Sequence, residues 1–417
     1  MQTEAEAFLQ RIRAYPDDDA QRLIFADWLD EEGDPRGKFV RVQLALAELP
    51  GHDPALRDLL TQERELLAAH RDAWEAPFRG LATGCVFRRG FVDEVKVEAR
   101  QFVRHAHEIF AAAPVRHVHL LDVSDNLSAV MQSPYLGRLA ALTVFASHLG
   151  EPLARAVARS EYVAGLRRLT LTRNRFGDDA AEQLARSPHL TALEDLDLGE
   201  NEIGESGARA LAAAPAWANL RRLELRDNRL GPAGAEALAG SERLPALRRL
   251  GLSGNDVGLP RLQSLARGND LLRVPELDLS VNGLTAAGLQ VILTKPPGGD
   301  PAAVRLTELD LSGNAELGDA GARVLTGPPH LANLTVLRLA GCGVGNDGAR
   351  ALARCPHLMN RLETLDLTAN PIDDAGLRAF LETGPQWRAL RQLLIPRIGI
   401  ADRLRQALDS AFRPRRK

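Results

Sequence analysis

Few side chains in this sequence stand at spacings that could carry out a reaction. His117 and His119 alternate along an expected strand, with His105 and His107 nearby. A zinc site needs three or four converging ligands, and no cysteine or carboxylate set with suitable spacing accompanies these histidines. Cys85, Cys342 and Cys355 are odd in number and contain no CxxC pair, so they point to neither a disulfide framework nor a zinc knuckle. The acids Asp17, Asp18, Asp19, Asp27, Asp30, Glu31, Glu32 and Asp34 are dense enough to suggest a cation. They lack the Gly at the sixth and the Glu at the twelfth position of a calcium loop, and helix caps plus a solvated face explain them better. There is no glycine-rich phosphate loop, no G-x-S-x-G elbow and no H-E-x-x-H. The expectation is a non-enzymatic chain with no catalytic residue, no metal and no cofactor.

The charges that recur with a period are more informative. One position of a repeated phrase reads Thr170, Asp197, Glu224, Gly251, Asp278, Asp310, Arg338 and Asp366. Two residues earlier stand Arg168, Asp195, Arg222, Arg249, Glu276, Glu308, Val336 and Thr364. Both lie between apolar residues on what should be short strands, so they face away from the core. Arg222, Glu224, Arg226 and Asp227, flanked by Arg249, form the densest mixed-charge patch, and Arg is enriched at contact centres. The expected partner-binding residues are therefore Asp195, Asp197, Arg222, Glu224, Arg226, Asp227, Arg249, Asp278, Asp310, Arg338 and Asp366. The competing reading is that the acid belongs to a common form of the phrase and serves solubility.

The elements that position these residues are repeats. LRRLTLTRN ends at Asn174, LEDLDLGEN at Asn201, LRRLELRDN at Asn228 and LRRLGLSGN at Asn255. VPELDLSVN ends at Asn282, LTELDLSGN at Asn314, LTVLRLAGC at Cys342 and LETLDLTAN at Asn370. Most recur every 27 or 28 residues, which is the signature of a solenoid. Alternating leucines mark the strand. The Asn amide both donates and accepts, so stacked units should form a buried ladder in which Cys342 is a substitute. Gly207, Gly234, Gly288, Gly348 and Gly376 each follow the turn residue by six positions, ahead of an A-x-x-L-A helix, and should let that helix approach the strand layer. The step from Asn282 to Asn314 is 32 residues, with the excess at KPPGGDPAA, a loop over about 294–303. Degenerate units place Arg100, Asn126, Ser147 and Ile398 in the same slot, for twelve units from about 90 to 400 with the ends as caps.

These phrases, with a helix in every unit, resemble the ribonuclease-inhibitor-like class of leucine-rich repeats. The resemblance implies an α/β horseshoe solenoid, with parallel strands lining the inner, concave face and helices outside, over residues 81–417.

Residues 1–80 lack the repeat and read as helices. Thr3 and Glu6 have capping-box spacing, Pro16 stops the first helix, and acids open the second ahead of Gly33. Phe39, Val42, Leu46 and Leu49, then Leu56, Leu59, Leu60, Leu66 and Leu67, mark two more. The run EAFLQRIRAYPDDDAQRLIFADWLDEEGDPRGKFVRVQ resembles the bacterial repeat-companion domain, a resemblance that implies no activity.

The net charge is −3, divided as −7 over residues 1–80 and +4 over the remainder. Neither part has the basic field of a nucleic-acid binder, and the basic tail Arg413, Arg415, Arg416 and Lys417 is short. No apolar run suits a membrane span or a secretion signal, so the expected place is the cytoplasm. The expected function is protein-partner binding on the concave face, with no nucleic acid and no membrane. The alternative is regulation of an enzyme: the repeats are similar to those of Ran-GTPase activators, although no residue matches that family's catalytic Arg or Asn.

Overall fold

A computed structural model describes residues 2–50, 53–258, 270–294 and 300–412. They divide into two compact units, Met1–Ser147 with Arg159–Thr170, and His148–Ala158 with Leu171–Lys417.

The first unit opens with four helices, α1 (Gln2–Ala14), α2 (Asp19–Glu31), α3 (Arg36–Glu48) and α4 (Leu56–Trp74). They lead into the antiparallel pair β1 (Gly84–Arg88) and β2 (Phe91–Glu98). α5 (Ala99–Ala112), β3 (His117–Leu121), α6 (Leu127–Met131), β4 (Ala141–Val144) and β5 (Arg168–Thr170) follow, with β2 to β5 parallel in chain order. Asp18 caps α2 through Ala20 N–H at 3.0 Å, and Gly33, at φ +71°, ends that helix as expected. Because α1 already begins at Gln2, Thr3 lies inside the helix and not at its cap. Ile12, Phe25, Ala26, Leu29, Val40 and Leu44 from the helices bury Phe91 of β2. Gln43 is also buried: its amide accepts from Gly90 N–H at 2.7 Å and donates to the Phe87 carbonyl at 3.2 Å. The helices thus seal the first edge of the repeat core and hold the β1–β2 turn, which is what a terminal cap of a solenoid must do. The hairpin strand β1 was not legible in the sequence.

The second unit runs α7 (Glu151–Arg159), α8 (Asp178–Ala185), β6 (Asp195–Asp197), α9 (Glu205–Ala212), β7 (Arg222–Glu224), α10 (Gly231–Ala239) and β8 (Arg249–Gly251). It continues with β9 (Glu276–Asp278), α11 (Ala286–Thr294), β10 (Glu308–Asp310), α12 (Gly318–Leu325), β11 (Val336–Arg338) and α13 (Asn346–Ala353). β12 (Thr364–Asp366), α14 (Asp374–Thr383), β13 (Gln392–Leu394) and α15 (Asp402–Phe412) complete it. Strands β6 to β13 pair in parallel, each with the next, and neighbouring helices pack side by side. This is the expected α/β repeat solenoid.

The turn after each strand is held by the expected ladder. Asn201 Oδ1 accepts from Asn174 N–H at 2.8 Å and Phe176 N–H at 3.1 Å, and its Nδ2 donates to the carbonyls of Leu171, Leu198 and Gly199. Asn228, Asn255, Asn282, Asn314 and Asn370 are likewise buried and bonded. Cys342 is fully buried in the same slot, and its thiol donates to Leu311 O at 3.0 Å. Burial pushes that thiol up to about 11, so it is a ladder member and not a nucleophile. The residue before each slot adopts a left-handed conformation: Arg173, Glu200, Asp227, Gly254, Val281, Gly313, Gly341 and Ala369 all have φ between +53° and +75°.

The helix glycines are crowded from two sides. A Cβ on Gly348 would lie 2.8 Å from Val344 beneath the helix, as expected, but also 2.7 Å from Asp319 and 2.9 Å from Ala322 of the preceding helix. Those preceding residues form a second, outer ladder. Asp178 Oδ1 accepts from Gly204 and Gly207 N–H at the start of α9, and Asp319 Oδ1 accepts from Gly345 and Gly348 N–H at the start of α13. Each acid caps the next unit's helix instead of its own.

One slot assignment shifts, and two residues that keep the slot by register, Arg100 and Ile398, are exposed instead of buried. Pairing of Val118 with Leu142 and Leu120 with Val144 puts Val123, not Asn126, in the ladder slot. Val123 is buried and Asn126 only partly, because the apolar pair that enters the core lies three residues earlier than the phrase suggests. Arg100 is exposed at the start of α5, and Ile398 is 89% exposed beyond β13, where α15 covers the end with Leu404, Leu408 and Phe412. In the widened step, Asp300 caps a short turn at Pro301–Ala303; residues 295–299, like the basic tail 413–417, lie outside the described residues.

Candidate protein-interaction face

On the strand face of the second unit, one row aligns Asp195, Arg222, Arg249, Glu276, Glu308, Val336 and Thr364. The next aligns Asp197, Glu224, Gly251, Asp278, Asp310, Arg338 and Asp366. All eleven sequence-selected residues therefore lie on or directly beside this face, half-buried or exposed.

The recurring aspartates have a local duty. The Oδ1 atoms of Asp197, Asp278 and Asp310 each accept, at 2.9 Å, the backbone N–H two residues on, and Asp366 does so at 2.8 Å. The acid therefore stabilises the exit from its own strand, which explains its recurrence without reference to a partner. One oxygen of each carboxylate is occupied and the side chain is fixed in direction.

The charges around β7 behave differently, because most of their partners lie in neighbouring repeats. Arg249 Nε donates to Glu224 Oε1 at 2.6 Å, and its Nη1 lies 3.7 Å from Glu276 Oε2. Arg222 reaches back to Asp195 at 3.8 Å. Arg226 pairs with Glu200 at 2.6 Å and Asp227 at 3.5 Å, and Arg173 also binds Glu200. Farther along, Arg338 lies 3.8 Å from Glu308. Burial pushes Glu224 above the usual carboxylate range, with the guanidinium of Arg249 pulling against it and Asp197 and Asp278 adding to the rise. Burial would also lower Arg249, but the Glu224 hydrogen bond prevails and raises it. Glu200 goes the other way: burial raises it, yet hydrogen bonds from Arg173 and Arg226 outweigh this and hold it low.

The patch Arg222, Glu224, Arg226, Asp227 and Arg249 is therefore not one cluster. It is a set of alternating chains, Asp195–Arg222, Glu224–Arg249–Glu276 and Arg173–Glu200–Arg226–Asp227. Arg173 and Glu200 join this arrangement without standing in either of the two strand rows of the sequence. Their signal was their place, immediately before the ladder Asn, where the left-handed turn presents the side chain beside the strand face.

In the first unit, Glu94 Oε2 lies 3.0 Å from His117 Nδ1, and His117 Nε2 lies 2.9 Å from Thr143 Oγ1. Burial lowers the pKa of both His117 and His119, and Glu94 opposes this at His117. Among the described residues no three His, Cys, Asp or Glu side chains converge as metal ligands.

Several acids of the helical segment are engaged internally. Asp34 accepts from Arg36 N–H, Asp30 and Asp27 hold Arg41, Asp17 binds Arg116 at 2.7 Å, and Asp19 lies 3.5 Å from both Arg22 and Arg89. Among the described residues, no helix is long and apolar enough to cross a membrane.

The family model described as "Leucine Rich repeat" matches residues 189–212, 218–239, 306–325, 330–353 and 360–381. These segments are leucine-rich repeats. No curated protein matches the chain in sequence. Among solved structures, its leucine-rich repeats are similar to a TLR13–ssRNA13 complex at 20% identity and TM-score 0.44, covering 68% of this chain and 36% of that one. An internalin, inlF of Listeria monocytogenes, matches at 16% identity and TM-score 0.32, covering 70% and 93%. The Rad7 and Elc1 complex of yeast matches at 16% identity and TM-score 0.49, covering 91% and 93%. The chain thus spans about a third of the TLR13 chain.

Proposed function

We propose that this leucine-rich repeat protein is a non-enzymatic scaffold that holds a partner protein on its strand face. That face is the concave side of the horseshoe implied by the ribonuclease-inhibitor-like resemblance. The observation that carries the proposal is the contrast between two kinds of charge on it. The aspartates at 197, 278, 310 and 366 are explained by their own turns. Arg222, Glu224, Arg226 and Arg249 are not, since their bonds join units and contribute little at half-exposed positions.

What these cross-unit bonds do is set guanidinium and carboxylate directions on a rigid sheet before a partner arrives, which lowers the ordering cost of binding. A partner of complementary alternating charge would exchange part of these pairs for its own. The helical segment 1–80 acts in this reading as a repeat-companion cap, and the protein works in the cytoplasm.

The test compares the full chain with an Arg222→Glu, Arg226→Glu variant in affinity capture with cross-linking. Loss of at least tenfold of a captured protein, with melting temperature unchanged, supports the strand face around β6–β8. Equal capture by both would move the contact elsewhere on the molecule.

A further inference from the structure

In the first unit, a cleft of about 620 Å³ lies between α1 and the segments at 113–116 and 137–138. Its floor is apolar, with Phe110, Pro114 and Val115, and three arginines line it: Arg13, Arg116 and Arg138. The three are not equally engaged. Arg116 is held by Asp17 at 2.7 Å, and Arg13 by Glu6 at 2.8 Å and by the Ala111 carbonyl at 2.5 Å. The Nε of Arg13 is nevertheless buried without a hydrogen-bond partner. Arg138 has no hydrogen bond or ion pair to a described residue; its guanidinium stands 5.1 Å from the Tyr135 ring and 5.8 Å from Phe110. Those two rings stack on each other at 5.6 Å beside the free cation.

We propose that this cleft binds a small aromatic oxyanion, a planar ring carrying a phosphate or carboxylate. The volume is that of a small-ligand site and too small for a docked helix or strand. Three guanidiniums against two carboxylates leave a net positive site. Arg is the side chain whose planar fork matches both phosphate and carboxylate. Phe110, Pro114 and Val115 give the ring an apolar surface, and the site is built from residues of the first unit alone, so it does not depend on the scaffold reading.

The experiment is calorimetric titration of the full chain at low salt with AMP, adenosine, inorganic phosphate and 2-naphthoate. AMP or naphthoate should bind with a Kd below about 1 mM, while adenosine should bind at least tenfold more weakly. AMP alone would identify the phosphate source, naphthoate alone the carboxylate. Arg138→Ala should weaken the binding at least tenfold and Arg138→Lys less, with both variants melting like the wild type. Equal binding of AMP and adenosine, unchanged affinity in Arg138→Ala, or no binding of either anion at 5 mM (about five times the expected Kd) would overturn the proposal.

Discussion

Gly251 leaves open the space into which Glu224 folds. A Cβ on Gly251 would stand 1.7 Å from Oε2 of Glu224, its register partner on the neighbouring strand. The gap in the acidic row is therefore what lets Glu224 lean across to Arg249. Because the obstructed atom is the far end of a flexible side chain, Gly251→Ala should fold, displace Glu224 and break the Glu224–Arg249 hydrogen bond. Melting should fall by no more than about 2–4 °C. Loss of the Arg249 Nε–H correlation to Glu224 by NMR checks it, and an intact pair in the variant would contradict it.

Asn228 meets four backbone groups, Ile203 N–H and the carbonyls of Leu198, Leu225 and Arg226. Asn228→Ala leaves buried partners unsatisfied, so unfolding free energy should drop by at least about 1–3 kcal/mol in urea titration. Cys342→Asn, which restores the second half of the amide, should not destabilise.

Gly348→Ala tests the helix–helix crowding. In an open helix this change adds about 1 kcal/mol of stability. Here the new Cβ meets Asp319, Val344 and Ala322 within 2.9 Å, and two of these obstacles are packed and not free to swing away. The variant should be less stable than the wild type by thermal melting.

Val281 carries the left-handed turn at φ +53° with a β-branched side chain that is 60% exposed. Such a residue pays roughly 1–2 kcal/mol there, while glycine restores chain entropy to the unfolded state at about 0.5–1 kcal/mol. Val281→Gly should therefore stabilise modestly, by up to about 1 kcal/mol. A drop in stability would show that Val281 is held by its contact with Gly313.

Asp17 gives a pH signature. The hydrogen bond from Arg116 is the main cause of its lowered pKa, opposed by some burial. A carboxyl lowered in the folded state adds stability that is fully present above its unfolded value and lost as pH falls through the folded one. The contribution should thus fade below about pH 4. Asp17→Asn should lower stability at neutral pH and flatten the acid limb of the curve; an unchanged acid limb would mean that Arg116 does not hold it in solution.

Much of the fold is legible from residue types alone. The leucines of LEDLDLGEN and its copies, Asn201 and its equivalents, and Gly348 obey the period because each unit meets the same neighbours. The ends are less legible: Asn126 offers the right letter three residues from the slot, and β1 has no repeat to announce it. The partner-facing row was found but its division was not. Asp197 and Glu224 look alike as letters, yet one binds its own turn and the other reaches into the next unit.

The sequence by itself determined the period, the strand and helix of each unit, and which residues enter the core, since burial in a stacked array imposes the same demand every 27 or 28 residues. Only the tertiary structure decided how the exposed charges are paired. Glu224 and Arg249 are 25 residues apart, and Arg226 and Glu200 are 26 apart, so no local rule links them. Their meeting depends on strand register, on the left-handed turn before each Asn and on the space left by Gly251. These are properties of neighbouring units in contact, which a single repeat does not contain.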